Sequence, residues 1–568
     1  MKKLITTIAL LMSLSVVIAQ TFGHVDVNNV KARVNSGGDL FWNLVGSPGF
    51  EAPKGSGIHT VFGANLWIAG VDQNNQLHVA AQTYRQNGVD FWPGPLDTVN
   101  VNIQPAVSTQ WNTIWKINKT TIDSFNLGLF SPSIPPAIAN WPGNGDANYN
   151  QAQLLAPFFD VNNDGTYNPS QGDYPQIQGD QAIYFIINDN QSGSVHGETG
   201  GVPLGVEIHG MAYAFNCPTD SALNQTVFLH YTIINRSANT YNNTYVGIWT
   251  DFDIGNYDDD LIGCDVKRQC YYGYNGDNDD GGGAPGTYGI QLGAQAVVFL
   301  NGVVADVFDA IDNDKDCIID EPNETNLMSK FIHYENNWTT VGGNPTDSLD
   351  YYQYLQGLWK NDSSITYGGY GYNTGAPCNY MNPGNSDHQY EWGTGGNCQT
   401  TGAPQLDWYS PNVPSDMRGM GSSGRFTMLP NTVYSFDLAY VFARDYSASG
   451  SLASVNLLMT RVDSIRSYFN GNMTPCGSIF NTSVSETPKP NNTISVYPNP
   501  ANENLFVSFE MQSKNASVQI YDVTGNLVKE LEITNGNSQI NISQLAQGLY
   551  VIKIVDGNKL YSKKFLKE

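Results

Sequence analysis

VFLHYTIIN, residues Val227–Asn235, and YVGIWT, residues Tyr245–Thr250, are two short apolar runs separated by a polar stretch. Both are rich in β-branched and aromatic side chains, which favour the extended conformation of a strand. Turn-forming Asn, Ser and Asp residues flank them. We interpret the two runs as neighbouring strands of a β-sandwich.

Runs of the same kind recur through residues 20–478, between clusters of glycine, asparagine and aspartate. This spacing is typical of a mainly β, sandwich-like fold of two or more subdomains. From the length of this segment, which we call the passenger, we expect two regions, 20–215 and 216–478. Further strands are predicted at Val61–Ile68, Ala182–Ile187, Gly210–Phe215, Ala294–Leu300 and Tyr434–Arg444.

One segment departs from the β pattern. From Ser451 to Asn470, apolar residues recur at steps of three and four, which is the period of an amphipathic helix. We predict a helix over 451–470 that packs on the sheets with one face. That face would contain Leu452, Val455, Leu458, Val462, Ile465 and Phe469.

The first nineteen residues have the three parts of a secretory signal peptide. Lys2 and Lys3 form the positive segment, Leu4–Ile18 is largely apolar, and Val17–Ala19 offers a cleavage site. The apolar segment, at about 15 residues, is shorter than the about 20 that a spanning helix needs. We therefore expect an exported protein without a transmembrane segment in its mature chain.

The C-terminal part begins with a polar stretch. Residues 479–492 include NTSVSETPKPNN (Asn481–Asn492), which has almost no apolar side chains and is typical of a linker. Strand patterns and turn signals fill residues 493–568, which indicates a separate small β-domain. Its strands are predicted at Leu505–Phe509, Val518–Tyr521, Leu527–Ile533, Gly548–Val555 and Lys559–Leu566.

Three motifs of this domain resemble, in order, the type A sorting domain of type IX secretion cargo. They are VYPNPA (Val496–Ala501), IYDVTGNLV (Ile520–Val528), and GLYVIKI (Gly548–Ile554) with the later KKFLKE (Lys563–Glu568). The resemblance implies an Ig-like β-sandwich that docks with the outer-membrane translocon and its sortase-like machinery. It also implies a secreted passenger that is released or attached to surface lipopolysaccharide. The positions that carry the resemblance are Pro498, Pro500, Asp522, Gly525, Gly548, Tyr550, Lys563 and Lys564.

The passenger is similar to a group of secreted proteins from bacteria with type IX secretion. That group has no assigned activity, so the resemblance implies an extracellular passenger and transfers no catalytic residue. The similar phrases are HTVFGANLWIAGVD (His59–Asp72), GVDFWPGPLD (Gly88–Asp97), GDYPQIQGDQAIYFIINDN (Gly172–Asn190), GIWTDFDIGNYDDDLIGCD (Gly247–Asp265) and MRGMGSSGRFTMLPN (Met417–Asn431).

The chain is strongly acidic, with a formal net charge of −25. Residues 493–568 contain seven lysines and seven acidic residues, so the excess of negative charge lies in the passenger. Nucleic acid is not expected as a partner, because its phosphates would be repelled. The charge favours solubility and the binding of cations.

Seven cysteines lie in the passenger, and no CxxC or Cys/His spacing typical of zinc is present. An oxidising compartment permits disulfides. Proximity in sequence favours the pairs Cys264–Cys270 and Cys378–Cys398, although sequence alone leaves the connectivity open.

Two acidic loops are predicted calcium sites. In DVNNDG, Asp160, Asn162 and Asp164 place oxygen ligands at alternate positions, and Gly165 allows the sharp turn. Thr166 would add its carbonyl. Gln171 stands where a bidentate glutamate is usual, and Asp173 could substitute for it.

The second loop, DNDKDCIIDE, resembles the calcium-binding aspartate repeats of secreted proteins. Cys317 occupies the position where glycine is usual, which puts the turn in doubt. Unneutralised, such a cluster would repel itself, so a bound cation is expected; a solvated loop is the alternative. The predicted ligands are Asp312, Asp314, Asp316, Asp320 and Glu321.

Two further sets have less diagnostic spacing. An acidic cluster follows the Tyr245–Thr250 strand, where loops often carry sites, and could bind calcium or be solvated. His196 and Glu198, with Glu207 and His209, could bind zinc, but HExxH is absent and a structural role is favoured. The acidic cluster consists of Asp251, Asp253, Asp258, Asp259, Asp260 and Asp265.

Tryptophans are frequent in loop-like sequence and could form a platform for glycans, or fill the core. They are Trp111, Trp115, Trp338, Trp359, Trp392 and Trp408. No complete catalytic motif is present. We therefore predict a secreted, calcium-stabilised β-rich protein with a binding or structural role, adhesion included. The alternative is an extracellular hydrolase acting on polysaccharide or protein.

Overall fold

The computed structural model describes residues 21–306, 309, 311–314, 324–367, 369–373, 375–383, 414–480, 495–509, 511, 513–522, 527–556 and 559–568. The signal peptide predicted at 1–19 therefore lies outside the described residues. The chain forms two compact units. The larger comprises residues up to 305, 312–318 and 323–482, and the smaller comprises 306–311, 319–322 and 483–568.

The larger unit is built mainly from antiparallel strands. They are β1 (Phe22–Val25), β2 (Lys31–Asn35), β3 (Phe50–Glu51), β4 (His59–Val71), β5 (Leu77–Ala80), β6 (Trp92–Pro93), β7 (Trp115–Asn118), β8 (Phe158–Phe159), β9 (Tyr174–Pro175), β10 (Gln181–Asn188), β11 (Val206–Ala214), β12 (Thr226–Asn235), β13 (Tyr241–Phe252), β14 (Asp260–Asp265), β15 (Cys270–Asn275), β16 (Gly293–Asn301), β17 (Val303–Val304), β18 (Thr325–Asn326), β19 (Lys330–Glu335), β20 (Met417–Met428) and β21 (Val433–Arg444). Five α-helices accompany them among the described residues: α1 (Pro105–Gln110), α2 (Lys119–Asn126), α3 (Pro136–Ala139), α4 (Ser348–Leu355) and α5 (Ser451–Asn470).

Two large sheets dominate this unit. The first has the order β1-β2-β3-β4-β13-β20-β19, with β5 beside β4, and the second has the order β14-β15-β16-β21-β12-β11-β10-β6, with β7 beside β10. Both sheets therefore contain strands from both predicted regions, 20–215 and 216–478, which meet at the pairs β4–β13 and β11–β12. The boundary at 215 does not separate two compact units.

The strands β12 and β13, which contain the runs Val227–Asn235 and Tyr245–Thr250, belong to opposite sheets. The two strands therefore face each other across the sandwich and do not pair by hydrogen bonds in one sheet. Thr250 on β13 shows the facing arrangement, because its Oγ1 lies 2.9 Å from the hydroxyls of Tyr271 and Tyr440 in the second sheet. The core between the sheets is aromatic and aliphatic, as the mainly β prediction requires.

The predicted helix over 451–470 is present as α5 with the same bounds. It packs on β16 and β21 of the second sheet. Val455, Leu458, Val462, Ile465 and Phe469 are buried, whereas Leu452 in the first turn is 52% exposed and does not belong to the packed face.

After this helix, the chain is still packed in the passenger core at Phe480, which lies inside the predicted linker 479–492. Phe480 is fully buried and contacts the rings of Phe215 and Phe228. The start of the linker, predicted at 479, is therefore wrong by at least two residues. Residues 481–492 lie outside the described residues.

A disulfide joins Cys217 and Cys476, which are 259 residues apart. It connects the segment after β11 to the turn after α5. The pairing of Cys264 with Cys270 is wrong: both are buried thiols on the adjacent strands β14 and β15, where their partners in register are other residues. Cys378 is buried, and its predicted partner Cys398 lies outside the described residues, so the pairing of Cys378 with Cys398 stays a prediction.

The smaller unit confirms the small C-terminal β-domain. Its strands are β22 (Ser495–Tyr497), β23 (Asn504–Ser508), β24 (Ala516–Asp522), β25 (Leu527–Ile533), β26 (Asn537–Asn541), β27 (Gly548–Asp556) and β28 (Lys559–Lys567). They form a sheet β22-β23-β26 and a sheet β25-β24-β27-β28 around a buried apolar core. In the part of the chain that the structure describes, no helix has the length and apolar character needed to span a membrane.

Candidate metal centres

The DVNNDG loop is held in a tight turn by its own side chains. Oδ2 of Asp160 accepts a hydrogen bond from the Gly165 amide at 2.7 Å, and Oδ1 of Asp164 accepts one from the Thr166 amide at 2.9 Å. Gly165 has φ +74°, which glycine adopts without strain, so the sharp turn that the pattern predicts is present. Each accepting oxygen keeps a second lone pair and can still ligate a cation.

Asp173 closes the same loop. Its carboxylate is fully buried and accepts hydrogen bonds from the Val161 amide at 2.9 Å and the Asn168 amide at 2.7 Å. Nδ2 of Asn162 donates to Oε1 of Gln171 at 2.8 Å, which joins the start of the loop to its end. Asp160, Asp164 and Asp173 do not form a three-carboxylate cluster among the described residues. The ligand roles of this loop stay predictions.

The second predicted loop brings two of its aspartates together with a glutamate that the sequence reasoning missed. Asp312, Asp314 and Glu324 each place one carboxylate oxygen within 4.8 Å of the others. Asp312 and Glu324 are buried, and Oε1 of Glu324 accepts a hydrogen bond from the Asn313 amide. The remaining predicted ligands, Asp316, Asp320 and Glu321, lie outside the described residues.

The separation of these oxygens suits calcium. Calcium–oxygen distances are about 2.3–2.6 Å, so two ligands of one ion lie at most about 5 Å apart. Glu324 could have been suspected from its position shortly after the aspartate run. Its approach to Asp312 is a feature of the folded protein that no local spacing predicts.

The third acidic cluster converges only in part. Asp251 and Asp253 join Asp416, and one carboxylate oxygen from each lies within 4.8 Å of the other two. Asp258 is exposed, and Asp265 instead forms an ion pair with Arg268 at 2.7 Å. Asp416 carried no local signal in the sequence, because the antiparallel pairing of β13 with β20 brings it to this place.

Two side chains hold the buried member of this cluster. The Tyr84 hydroxyl donates to Oδ2 of Asp251 at 2.6 Å, and Nε of Arg418 lies 3.3 Å from Oδ1 of Asp251. Nη1 of Arg418 also donates to Oδ1 of Asp416, so the guanidinium lies between two of the carboxylates. Neither Tyr84 nor Arg418 was identified from the sequence.

Burial and mutual repulsion make these carboxylates hard to ionise. Burial raises the pKa of Asp251 to about 6 against the opposing charge of Arg418. Burial, and then the charge of Asp251, raise the pKa of Asp253 well above its ordinary value. Asp260, behind the same loop, is fully buried and has its pKa raised for the same two kinds of reason.

The histidine and glutamate set does not form a zinc site. Nδ1 of His196 lies 2.7 Å from the carbonyl oxygen of Val79, and Nε2 lies 2.6 Å from that of Asp189. Both ring nitrogens are directed at backbone carbonyl oxygens and not at the other members of the set. Oε1 of Glu198 accepts hydrogen bonds from the Thr83 amide and the Tyr351 hydroxyl, at 3.1 and 3.2 Å.

Glu207 and His209 form a separate buried chain of polar groups. Oε1 of Glu207 lies 2.9 Å from Nε2 of His209 and accepts a hydrogen bond from Arg236 at 2.7 Å. Nδ1 of His209 lies 2.7 Å from the Tyr184 hydroxyl. Burial by itself would raise the pKa of Glu207, but the hydrogen bond from His209 and the charge of Arg236 outweigh it and lower the pKa to about 2. These contacts favour a structural role for Glu207 and His209.

The tryptophans of the predicted glycan platform differ in their exposure. Trp359 is 1% exposed, and Trp111 and Trp115 are half-buried against each other, with ring centroids 5.8 Å apart. Trp338 is 45% exposed. Trp392 and Trp408 lie outside the described residues, so the glycan platform stays a prediction.

The described sorting motif positions lie on three strands of one sheet in the smaller unit and in the segment between β22 and β23. Asp522 at the end of β24 lies opposite Tyr550 on β27, which begins at Gly548. Tyr550 is buried and its ring stacks on Phe565 of β28 at a centroid distance of 5.7 Å. Lys563 and Lys564 lie on β28, and Pro498 and Pro500 lie between β22 and β23. Gly525 lies outside the described residues.

Comparison with known proteins identifies this unit. Residues 495–568 match the family described as the secretion system C-terminal sorting domain. The protein therefore belongs to the class of exported cargo proteins that have a C-terminal sorting signal.

Specifically, the chain is a cargo of the type IX secretion system, which delivers it across the outer membrane to the cell surface or the medium. No curated protein matches the sequence significantly.

Among solved structures, a polysaccharide lyase aligns at 8% identity and a TM-score of 0.16, over 64% of this chain and 34% of the lyase. This chain thus spans about a third of the lyase's length, and at that score the likeness carries no argument.

Proposed function

We propose that the passenger is a calcium-binding, non-catalytic protein that acts outside the cell in a structural or binding role. The observation that carries the proposal is the convergence of Asp312, Asp314 and Glu324 at the spacing of calcium ligands, within a segment whose aspartate pattern predicts that ion. Export to a calcium-containing exterior is consistent with this role.

The loop at 160–173 is the second proposed calcium site. Asp160, Asn162 and Asp164 supply side-chain oxygens, and Thr166 supplies a carbonyl, around a turn that Gly165 keeps tight. Asp173 supports the loop through two backbone amides. Bound calcium would tie these loops to the sheets, because the ion binds the folded loop and not the unfolded chain.

Calorimetric titration of the full mature chain with calcium chloride tests the proposal. We expect heat of binding and a higher melting temperature in calcium than in chelator. An ion at about 100 times its dissociation constant adds about 2.7 kcal/mol to the free energy of unfolding. The double variant Asp312→Asn/Asp314→Asn should lose one calcium per chain, because it removes two ligand charges without changing side-chain size.

Asp362→Asn is the matched control. Asp362 is an exposed turn residue with φ +65°, a conformation that asparagine also adopts. This variant should bind as many calcium ions as the natural chain. Absence of binding heat, together with equal melting temperatures in calcium and in chelator, would contradict the calcium proposal.

The mode of surface retention is part of the same proposal. The sorting domain implies handling by the type IX machinery, and we propose attachment to lipopolysaccharide or release into the medium as the two outcomes. Binding of glycans through exposed aromatic side chains such as Trp338 is a further hypothesis. A glycan array probed with the secreted chain tests it, and a substrate panel on the same sample tests the hydrolase alternative.

A further inference from the structure

Where β13 ends and β20 begins, side chains distant in sequence meet at one end of the first sheet. Asp251 lies in β13, opposite Arg418 of β20, and Asp253 follows the strand directly. Asp416 immediately precedes β20. The three carboxylates lie together because β13 and β20 are antiparallel neighbours.

Backbone and side-chain contacts fix each member. The Asp253 amide donates to the Thr60 carbonyl at 3.1 Å, which holds the start of the loop against β4. Oδ2 of Asp416 accepts a hydrogen bond from Nδ2 of Asn336 at 3.0 Å. The neighbouring Ser415 amide donates to the carbonyl of Asp260 at 3.1 Å. The carboxylates are thus placed before any ion arrives.

One buried oxygen of this group is not satisfied by a hydrogen bond. Asp251 is 2% exposed, and its Oδ1 accepts no hydrogen bond, although Nε of Arg418 lies 3.3 Å away. The other oxygen is engaged by the Tyr84 hydroxyl. A buried carboxylate oxygen without a hydrogen-bond donor is disfavoured. The ion pair with Arg418 leaves Oδ1 with lone pairs that a cation would satisfy.

The charges of the cluster also favour a cation as the ligand. If all three carboxylates are ionised, Arg418 offsets one of their negative charges and two remain. A divalent cation neutralises that excess. An all-oxygen ligand set is the type that hard cations prefer, and soft metals that seek sulfur or imidazole are disfavoured.

We propose that Asp251, Asp253 and Asp416 bind a divalent cation of the calcium type at the end of the first sheet. This site is separate from the loops at 160–173 and 312–324. The ion cross-links the loop after β13 to the entry of β20, and Arg418 and Tyr84 position the buried carboxylate.

Calcium titration of the full mature chain, with site variants, tests this assignment. Asp253→Asn/Asp416→Asn should lose one bound calcium per chain, or bind it at least tenfold more weakly, because two of the three ligand charges are removed. The loss should add to that of Asp312→Asn/Asp314→Asn, which keeps the failure of one site distinguishable from the failure of the other.

Asp258→Asn is the matched control. Asp258 is an exposed residue of the same loop, and its substitution removes one negative charge but no proposed ligand. If the double variant does not fold, Asp416→Asn alone serves, because it removes one ligand charge and keeps the size of the side chain. The assignment is overturned if Asp416→Asn and the double variant bind as many calcium ions, with unchanged affinity, as the natural chain and Asp258→Asn.

Discussion

Replacing Cys217 and Cys476 with serine removes the covalent link between the segment after β11 and the turn after α5. The two residues are 259 positions apart, so the bond closes a very long loop of the unfolded chain. For such a loop the chain-entropy relation gives about 19 cal/mol/K, or about 5–6 kcal/mol at 25 °C. Measured losses are smaller, typically about 2–5 kcal/mol, and that is the range we expect.

Urea unfolding of the exported chain, followed by tryptophan fluorescence, measures this loss as a lower midpoint. Each single variant should lose as much as the double variant, because either one removes the same bond. A reducing agent should destabilise the natural chain more than the double variant. Equal midpoints for the natural chain and the double variant would refute the assignment, as would a non-reducing digest without a linked Cys217–Cys476 peptide.

Three other outcomes are expected. Because the pKa of Glu207 is lowered to about 2, its contribution to stability is complete above pH about 4.5 and is lost as the pH falls towards 2. That contribution is about 3 kcal/mol, so Glu207→Gln should flatten the acid-unfolding profile; parallel profiles would contradict this. Leu458→Ala, in the buried face of α5, should cost about 2–5 kcal/mol in urea unfolding, whereas Leu452→Ala, half exposed on the same helix, should cost far less. Equal losses would exclude the packing described for α5. Deleting residues 495–568 should leave the passenger in the periplasm by cell fractionation, and its appearance in the medium would contradict the sorting assignment.

The strand pattern was readable from the sequence because it is local. Runs such as Ala182–Ile187 and Tyr434–Arg444 fall inside β10 and β21, and α5 has the predicted bounds. Period and composition determine these elements without reference to distant residues. The sorting domain could also be predicted from the sequence, because its motifs lie close together in the chain.

Long-range pairing was not readable. The runs in β12 and β13 are consecutive in the chain, yet they lie in opposite sheets, because each finds its partners elsewhere. The disulfide could not be predicted for the same reason, because Cys217 and Cys476 are distant in sequence. Proximity in sequence instead favoured the wrong pair Cys264–Cys270.

The candidate sites divide in the same way. Aspartates at alternate positions could be recognised as candidate ligands, whereas Asp416 and Glu324 join their clusters only through the fold. Arg418 and Tyr84, which set the charge and the hydrogen bonds around Asp251, likewise come from other strands or loops.

The calcium content of the naturally exported chain tests the account most directly. The protein is collected from the medium or the cell surface of the producing bacterium, dialysed against metal-free buffer, and measured by plasma mass spectrometry. The account predicts two to three calcium ions per chain, falling by one in Asp312→Asn/Asp314→Asn. A content well below one ion per chain, unchanged in that variant, would contradict it.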